Sequence, residues 1–384
     1  MPFEFATAAR IIFGAGTAEQ LPELASGLGC RPLLVVGANP ARHSQRIDSL
    51  ARSDLACTVV SVAGEPSIAT IEAARAEVRR SRCDMVVAIG GGSVIDSGKA
   101  LAALIPNPGE ALDYLEVIGA GEKLTVPPLP VIALPTTAGT GAEVTKNAVL
   151  GSPEHGVKVS LRDNRMLPDI ALVDPLLTHS LPPAATASTG MDALTQLLEP
   201  FVSHLANPLT DALCAAGLRR AGRSLRRVLA EPNDADARAD MALASLLGGL
   251  ALANAKLGAV HGFAGVLGGL TGAPHGTICA ALLPGVMQAN MTVLTERAAD
   301  SSALEKYERA ARLLLDSHDA TAQDALGWIN ETSRLFDLPR LGELGFAKAD
   351  FADIVAKSQD SSSMQGNPIR LDARELAAIL AAAL

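Results

Sequence analysis

The chain has 384 residues, enough for two or three domains and a large buried core. Hydrophobic residues make up 48% and charged residues 19%, which excludes a disordered chain. A net charge of −9 with 3% aromatics excludes a basic, base-stacking nucleic-acid surface.

The N-terminal stretch carries Glu4 and Arg10 and no continuous apolar run, so no signal peptide is expected. The first half then alternates. Apolar runs at 32–38, 57–64, 85–90 and 129–135 read as buried strands, because they are rich in β-branched residues and bounded by Gly or Pro. Helix-periodic stretches at 17–27, 41–53, 67–81 and 94–104 lie between them. This rhythm predicts right-handed crossovers and a parallel sheet with helices on both faces. Near residue 180 the texture changes. Strand signals nearly vanish after Val173, and Ala/Leu-rich helical periodicity runs to the C-terminus. The expected organisation is an α/β domain over 1–180 and an all-α domain over 181–384. The longest apolar run, Met241 to Ala253, is too short to span a bilayer. The basic stretch from Arg219 to Arg227 reads as a solvated helix face. Five scattered cysteines without CxxC spacing suit a reducing cytoplasm.

Two loops carry ligand chemistry. At 85–102 a strand meets Gly90-Gly91-Gly92 and then a helix. Consecutive glycines let backbone approach a ligand, and Ser93 is placed to cap the helix, whose N-terminus favours an anion. Asp96 and Lys99 sit in its first turns. The pattern is neither GxGxxG nor a Walker loop, and a tight turn without a ligand is the bland alternative. Further on, residues 135–145 interleave hydroxyls with glycines after a strand, which suits the ligand crevice of an open sheet.

Histidine is scarce, and only His261 and His275 share a suggestive context. On one straight helix 14 residues rise about 21 Å, so two ligands to one ion require a reversal between them. Gly268, Gly269, Gly272 and Pro274 are placed to supply it. Asp192 and Gln196, at i and i+4, share a helix face. Read from spacing alone, the histidines are either metal ligands or core residues.

Together these segments resemble the iron-containing (group III) alcohol dehydrogenase family over nearly the whole chain. The resemblance implies a Rossmann-like domain and a helical domain, with the metal in the cleft. GGGSVIDSGKA (90–100) looks like the family's pyrophosphate loop, covering Gly90, Gly91, Gly92, Ser93 and Asp96. LPTTAGTGAEVT (134–145) looks like its second cofactor loop, with Thr136, Thr137 and Thr140. Lys158 falls in the segment that ends the N-terminal domain and is placed to reach the nicotinamide ribose. Asp192, His261 and His275 match three of four metal ligands, for Fe2+ or Zn2+, and are the expected catalytic residues. The fourth, usually His, is Gln196 here, which implies amide-oxygen ligation or a metal-poor site. A second His, usual four residues after the ligand matching His261, is Gly265 here. The carboxylate often found after the second strand is absent, and Asn39 with Arg42 stands there instead, favouring NADP(H).

The implied activity is hydride transfer between NAD(P)(H) and a small alcohol or aldehyde in a cytoplasmic homodimer, with no nucleic-acid or membrane partner. Alternatives are a maleylacetate reductase-like enzyme, for which Arg162 and Arg165 would face a substrate carboxylate, a dehydroquinate synthase-like lyase, and a silent NAD(P)-binding protein. Phe263 and Leu267 are either pocket lining or helix core.

Overall fold

The computed structural model describes residues 2–384. The strands are β1 (Arg10–Phe13), β2 (Pro32–Gly37), β3 (Thr58–Val62), β4 (Met85–Gly90), β5 (Val131–Pro135), β6 (Asn147–Ser152), β7 (Val157–Arg162) and β8 (Ile170–Val173). The helices between them are α1 (Leu21–Ser26), α2 (Ser44–Ala51), α3 (Ile68–Val78), α4 (Gly92–Leu104) and α5 (Ala111–Tyr114). Six strands form an all-parallel sheet in the order β1-β8-β5-β4-β2-β3. This is the parallel, doubly wound sheet that the alternation predicts.

The inner strands β2, β4, β5 and β8 are almost wholly buried, so they read as unbroken apolar runs rather than as alternation. Their side chains still part by period two. Leu33, Val35, Val86, Ala88, Val131 and Ala133 enter one core with residues of α3 and α4. Leu34, Val36, Val87, Ile89, Ile132 and Leu134 enter another with residues of α1 and α2. Helices therefore cover both faces. After β3 the chain returns to the other side of β2 to lay down β4. The carboxyl ends of β2 and β4 thus flank the topological switch point, where open sheets of this kind bind ligands.

Four strands were not expected from the sequence. β1 and β8 have four residues each, and β1 is an exposed edge. β6 and β7 form an antiparallel hairpin with Asn147 paired to Arg162. The expected helices at 17–27 and 41–53 each begin with a 3-10 turn, at Thr17–Gln20 and Pro40–His43.

The remaining helices are α6 (Pro183–Val202), α7 (Pro208–Ser224), α8 (Arg227–Ala230), α9 (Ala235–Ala255), α10 (Ala259–Thr271), α11 (His275–Arg297), α12 (Ser302–Leu315), α13 (Ala322–Leu335), α14 (Phe351–Gln359) and α15 (Ala373–Ala383). α6 is buried without a break from Gly190 to Val202, so it is the central helix of the bundle. α11 is long and apolar enough to cross a membrane, but 67% of that window is buried, as in the core helix of a bundle. α9 and α10 meet at a 100° bend. Lys256 at that corner has a positive φ of 58°. By contact the chain divides into two compact units. One comprises Ala6–Thr137 with Gly141–Thr178, and the other His179–Leu384 with Ala138–Thr140 and the N-terminal stretch up to Phe5.

Candidate metal centre and cofactor loops

In the α/β unit, β4 ends in Gly90, Gly91 is the N-cap of α4, and no side chain caps that helix. The expected cap at Ser93 is not made. Ser93 lies inside the first turn, where its carbonyl accepts a hydrogen bond from Ser97 Oγ at 2.7 Å. The Thr136 amide donates to Gly90 O at 2.9 Å, tying the two loops together. A Cβ on Gly91 would stand 3.1 Å from Thr137 Cγ2, so a larger residue there would have to push the Thr137 side chain aside. Thr140 belongs by contact to the helical unit. Asn39 opens the 3-10 turn after β2 without capping it, and no carboxylate occurs from 37 to 47.

Beneath these loops lies a buried charge. Lys99 Nζ meets Asp96 Oδ1 at 2.9 Å, Thr145 Oγ1 at 2.9 Å and Ala142 O at 3.0 Å. Asp96 Oδ2 accepts from the Val149 amide at 2.9 Å. Both Asp96 oxygens are therefore engaged within the protein, bracing α4 to the hairpin and to the 136–145 loop. Lys158 is paired with Glu65. Arg165 is held by Asp163 through both oxygens and by Leu124 O, and Arg162 faces Glu116 at 3.8 Å.

The helical unit assembles the other site. α6 carries Asp192, α10 carries His261 in its first turn, and α11 begins at His275. The chain does reverse between the histidines, but Gly268 and Gly269 are helical. The break comes at Gly272, whose φ of +69° closes α10 in the left-handed conformation. It brings the two imidazole centroids to 5.2 Å. His261 Nε2 lies 3.4 Å and His275 Nε2 3.8 Å from Asp192 Oδ1. Asp192 Oδ1 is buried and has no hydrogen-bond partner. Cys279, one turn beyond His275 on α11, completes a group whose ligand atoms all lie within 4.8 Å of one another.

Glu199 holds this arrangement from behind. Its Oε2 accepts from His261 Nδ1 at 2.6 Å, and its Oε1 accepts from the Val260 amide at 2.7 Å. One carboxylate thus caps the start of α10 and holds the imidazole by Nδ1, so that Nε2 is the nitrogen turned toward Asp192. A Cβ on Gly258 would stand 2.8 Å from Glu199 Oε1, so only glycine admits the carboxylate there. The sequence reading missed both Glu199 and Cys279. Glu199 lies on the Asp192 face of α6, seven residues on, and Cys279 at i+4 from His275. Those spacings are the signals that were available.

The electrostatics are those of a cation site. Burial pushes the Asp192 carboxyl up, but the His275 and His261 imidazoles outweigh it and hold the group below the usual carboxylate range. Burial works against charge on the imidazoles too. Cys279 and Asp192 nevertheless raise His275, and raise His261 well above its ordinary value. Burial likewise raises the Cys279 thiol, and the two imidazoles bring it below its ordinary value. A carboxylate oxygen, two imidazoles and a thiol suit a borderline-soft divalent ion such as Zn2+ or Fe2+. The donors therefore fit a metal, and the unpartnered Asp192 oxygen is the atom such an ion would satisfy.

Gln196 is buried, and its Nε2 donates to Gly139 O at 2.6 Å. The His275 side chain is 31% exposed while those of Asp192 and His261 are 3% and 6%, so His275 is the side open to approach. Phe263 and Leu267 are fully buried in the helical core. A Cβ at Gly265 would meet nothing within 4 Å.

Known proteins bear on this arrangement over the full chain. The family description "Iron-containing alcohol dehydrogenase" matches residues 8–175, and "Fe-containing alcohol dehydrogenase family, C-terminal" matches 186–384. The 1,3-propanediol dehydrogenase of Klebsiella pneumoniae is 39% identical over 302 residues, 78% of this chain and 76% of that protein. A crystal structure of a 1,3-propanediol oxidoreductase superposes with a TM-score of 0.89 at 33% identity, covering 100% of both chains. Sulfoacetaldehyde reductase from Bifidobacterium kashiwanohense, solved with NAD+, gives a TM-score of 0.87 at 29% identity over 100% of this chain and 99% of its own. The chain belongs to the iron-containing alcohol dehydrogenase family, metal-dependent oxidoreductases that use NAD(P).

Proposed function

We propose that this protein interconverts small alcohols and aldehydes with NAD(P)(H), with a divalent ion held by Asp192, His261 and His275. The observation that carries the reading is the buried, unpartnered Asp192 Oδ1 facing two imidazoles, one of them fixed by Glu199. When bound, the metal supplies Lewis acidity to the substrate oxygen, and the nicotinamide carries the hydride.

The residues of the chain do the rest. Gly90, Gly91, Gly92 and Ser93 offer the start of α4, which no side chain caps, to the pyrophosphate. Thr136, Thr137 and Thr140 supply hydroxyls from the second loop, and Asp96 braces the helix below them. Asn39 stands where a ribose-binding acid is absent, which supports acceptance of a 2′-phosphate. Lys158 engages a ribose only on release from Glu65. His275 forms the open wall through which substrate reaches the site. With glycine at 265, α10 offers no proton relay one turn beyond His261, so the hydroxyl proton passes to water. The domain reading assigns the cofactor to 1–180 and the metal and substrate to 181–384.

The uncovered edge of β1, with Ile11 37% exposed, supports a homodimer, and five free cysteines support a cytoplasmic setting. The arginine support for a carboxylated substrate is weak, since Arg165 is already taken up by Asp163.

The test is oxidation of NADPH and NADH against a panel of small aldehydes, with metal-loaded protein beside a chelated control. Turnover should require the metal, and His275→Ala should lower it by roughly 1,000-fold, the equivalent of several kcal/mol, without unfolding the protein. Full activity in His275→Ala would overturn the metal assignment. Equal turnover after chelation would overturn it independently.

A further inference from the structure

The proposed metal centre takes three ligands from Asp192, His261 and His275, and two residues compete to be the fourth. Gln196 occupies the position expected for it, yet its amide is committed. Nε2 donates to Gly139 O at 2.6 Å and anchors the 138–140 segment to α6. What remains is a neutral carbonyl oxygen, a weak donor for a transition-metal ion.

Cys279 stands differently. It is fully buried, and the i, i+4 relation puts it on the same face of α11 as His275. Its Sγ lies 4.0 Å from His261 Nε2. Four ligands around a tetrahedral ion, with bonds of about 2.0–2.3 Å, stand about 3.3–3.6 Å apart. Three separations, 3.4, 3.8 and 4.0 Å, lie within a few tenths of an ångström of that range, and all four ligand atoms fall within 4.8 Å of one another, so a modest contraction would seat an ion. No other trio or quartet of His, Cys, Asp and Glu side chains clusters this way among the described residues.

We infer that Cys279 Sγ, and not Gln196 Oε1, is the fourth ligand, giving an Asp192/His261/His275/Cys279 site that prefers zinc or another thiophilic ion to iron. The inference rests on the reading that the first three residues hold a divalent ion. A thiolate and a carboxylate together balance the charge of a divalent ion, whereas Asp192 with three neutral donors leaves one positive charge over. Gln196 becomes a positioning residue, which fixes the 138–140 segment.

The experiment loads the full-length protein with Co2+ and records its absorption spectrum and cobalt content. Thiolate ligation gives an intense near-ultraviolet charge-transfer band that nitrogen and oxygen ligands do not. The wild type and Gln196→Ala should bind one cobalt and show the band. Cys279→Ser and Cys279→Ala, checked for folding by circular dichroism, should lose it. Their zinc affinity, measured against a chromophoric chelator, should fall by more than the roughly 10–100-fold that loss of an outer partner costs. One cobalt bound by the wild type without the band would overturn the cysteine assignment and leave the metal site standing. Cobalt retained by Cys279→Ser and lost from Gln196→Ala would do the same. Failure of the wild type to bind more cobalt than His275→Ala would overturn the metal site itself.

Discussion

Buried charge occurs in both units of this protein, and its satisfaction differs. Lys99 in the α/β unit has three donors and three partners, all within 3.0 Å. Asp192 in the helical unit has an oxygen with no hydrogen bond at all. Leaving a buried polar atom unmade costs about 1–3 kcal/mol, and more for a charged group, and Asp192 is the one carboxylate among the described residues left so. A saturated buried ion is scaffold. An unsaturated one, ringed by further donors, is a candidate binding site. Degree of burial does not separate the two, and counting partners does.

This contrast can be broken by substitution. Lys99→Met keeps the aliphatic stem and removes the ammonium, leaving the Asp96 carboxylate without its counter-ion. It should destabilise the protein by about 3–5 kcal/mol in urea denaturation. Asp192→Asn, measured on chelated protein, should cost less than Lys99→Met, because its orphan oxygen has no hydrogen bond to lose and only its attraction to His261 and His275 is removed. Equal losses for the two would dissolve the distinction.

Glu143 sharpens it. This buried residue of the α/β unit has its carboxyl pushed up to about 7 by burial, which the nearby Lys99 only partly offsets. An acid whose value is raised in the folded state binds its proton more tightly there than when unfolded. Its contribution to stability is therefore intact below about pH 4.5, falls as pH rises, and is fully lost above about 7. Glu143→Gln should remove that slope and exceed wild type above pH 7 by on the order of 3 kcal/mol, read from urea midpoints across pH 4.5–8. A parallel pH profile for the two proteins would contradict the raised value.

The smallest effect concerns Gly265. Open space beyond its Cβ position means that Gly265→His should change stability by no more than about 1 kcal/mol, the helix propensity of glycine working in its favour. If the new imidazole carries protons, the pH dependence of turnover should change while metal content stays constant. A large stability loss would show that the space is not available.

The α/β unit was more legible in sequence than the helical site, for physical reasons. β2, β4 and β5 are covered on both faces, so each prints as a continuous apolar run. β1 and β8 have four residues each, too short for any pattern to rise above its surroundings. The hairpin was readable and missed. VKVSLR at 157–162 alternates strictly, and Gly156 with φ +61° marks its turn. In the helical unit, Asp192, His261 and His275 came from family resemblance, since spacing alone left the histidines undecided. Glu199 meets His261 across 62 positions of sequence, a pairing that only tertiary structure creates. Cys279 gives no signal in cysteine spacing, because its partners at the site are histidines and an aspartate and not another cysteine.

The double duty of Glu199 reaches beyond geometry. The same carboxylate that caps the start of α10 also holds the His261 ring, so the imidazole is aimed as soon as α6 and α10 pack together. Uptake of an ion then demands no refolding, and exchange of one ion for another demands none either. Discrimination among ions would then rest on the donors that the folded chain presents, and on which ions the cell supplies, and not on any rearrangement of the chain.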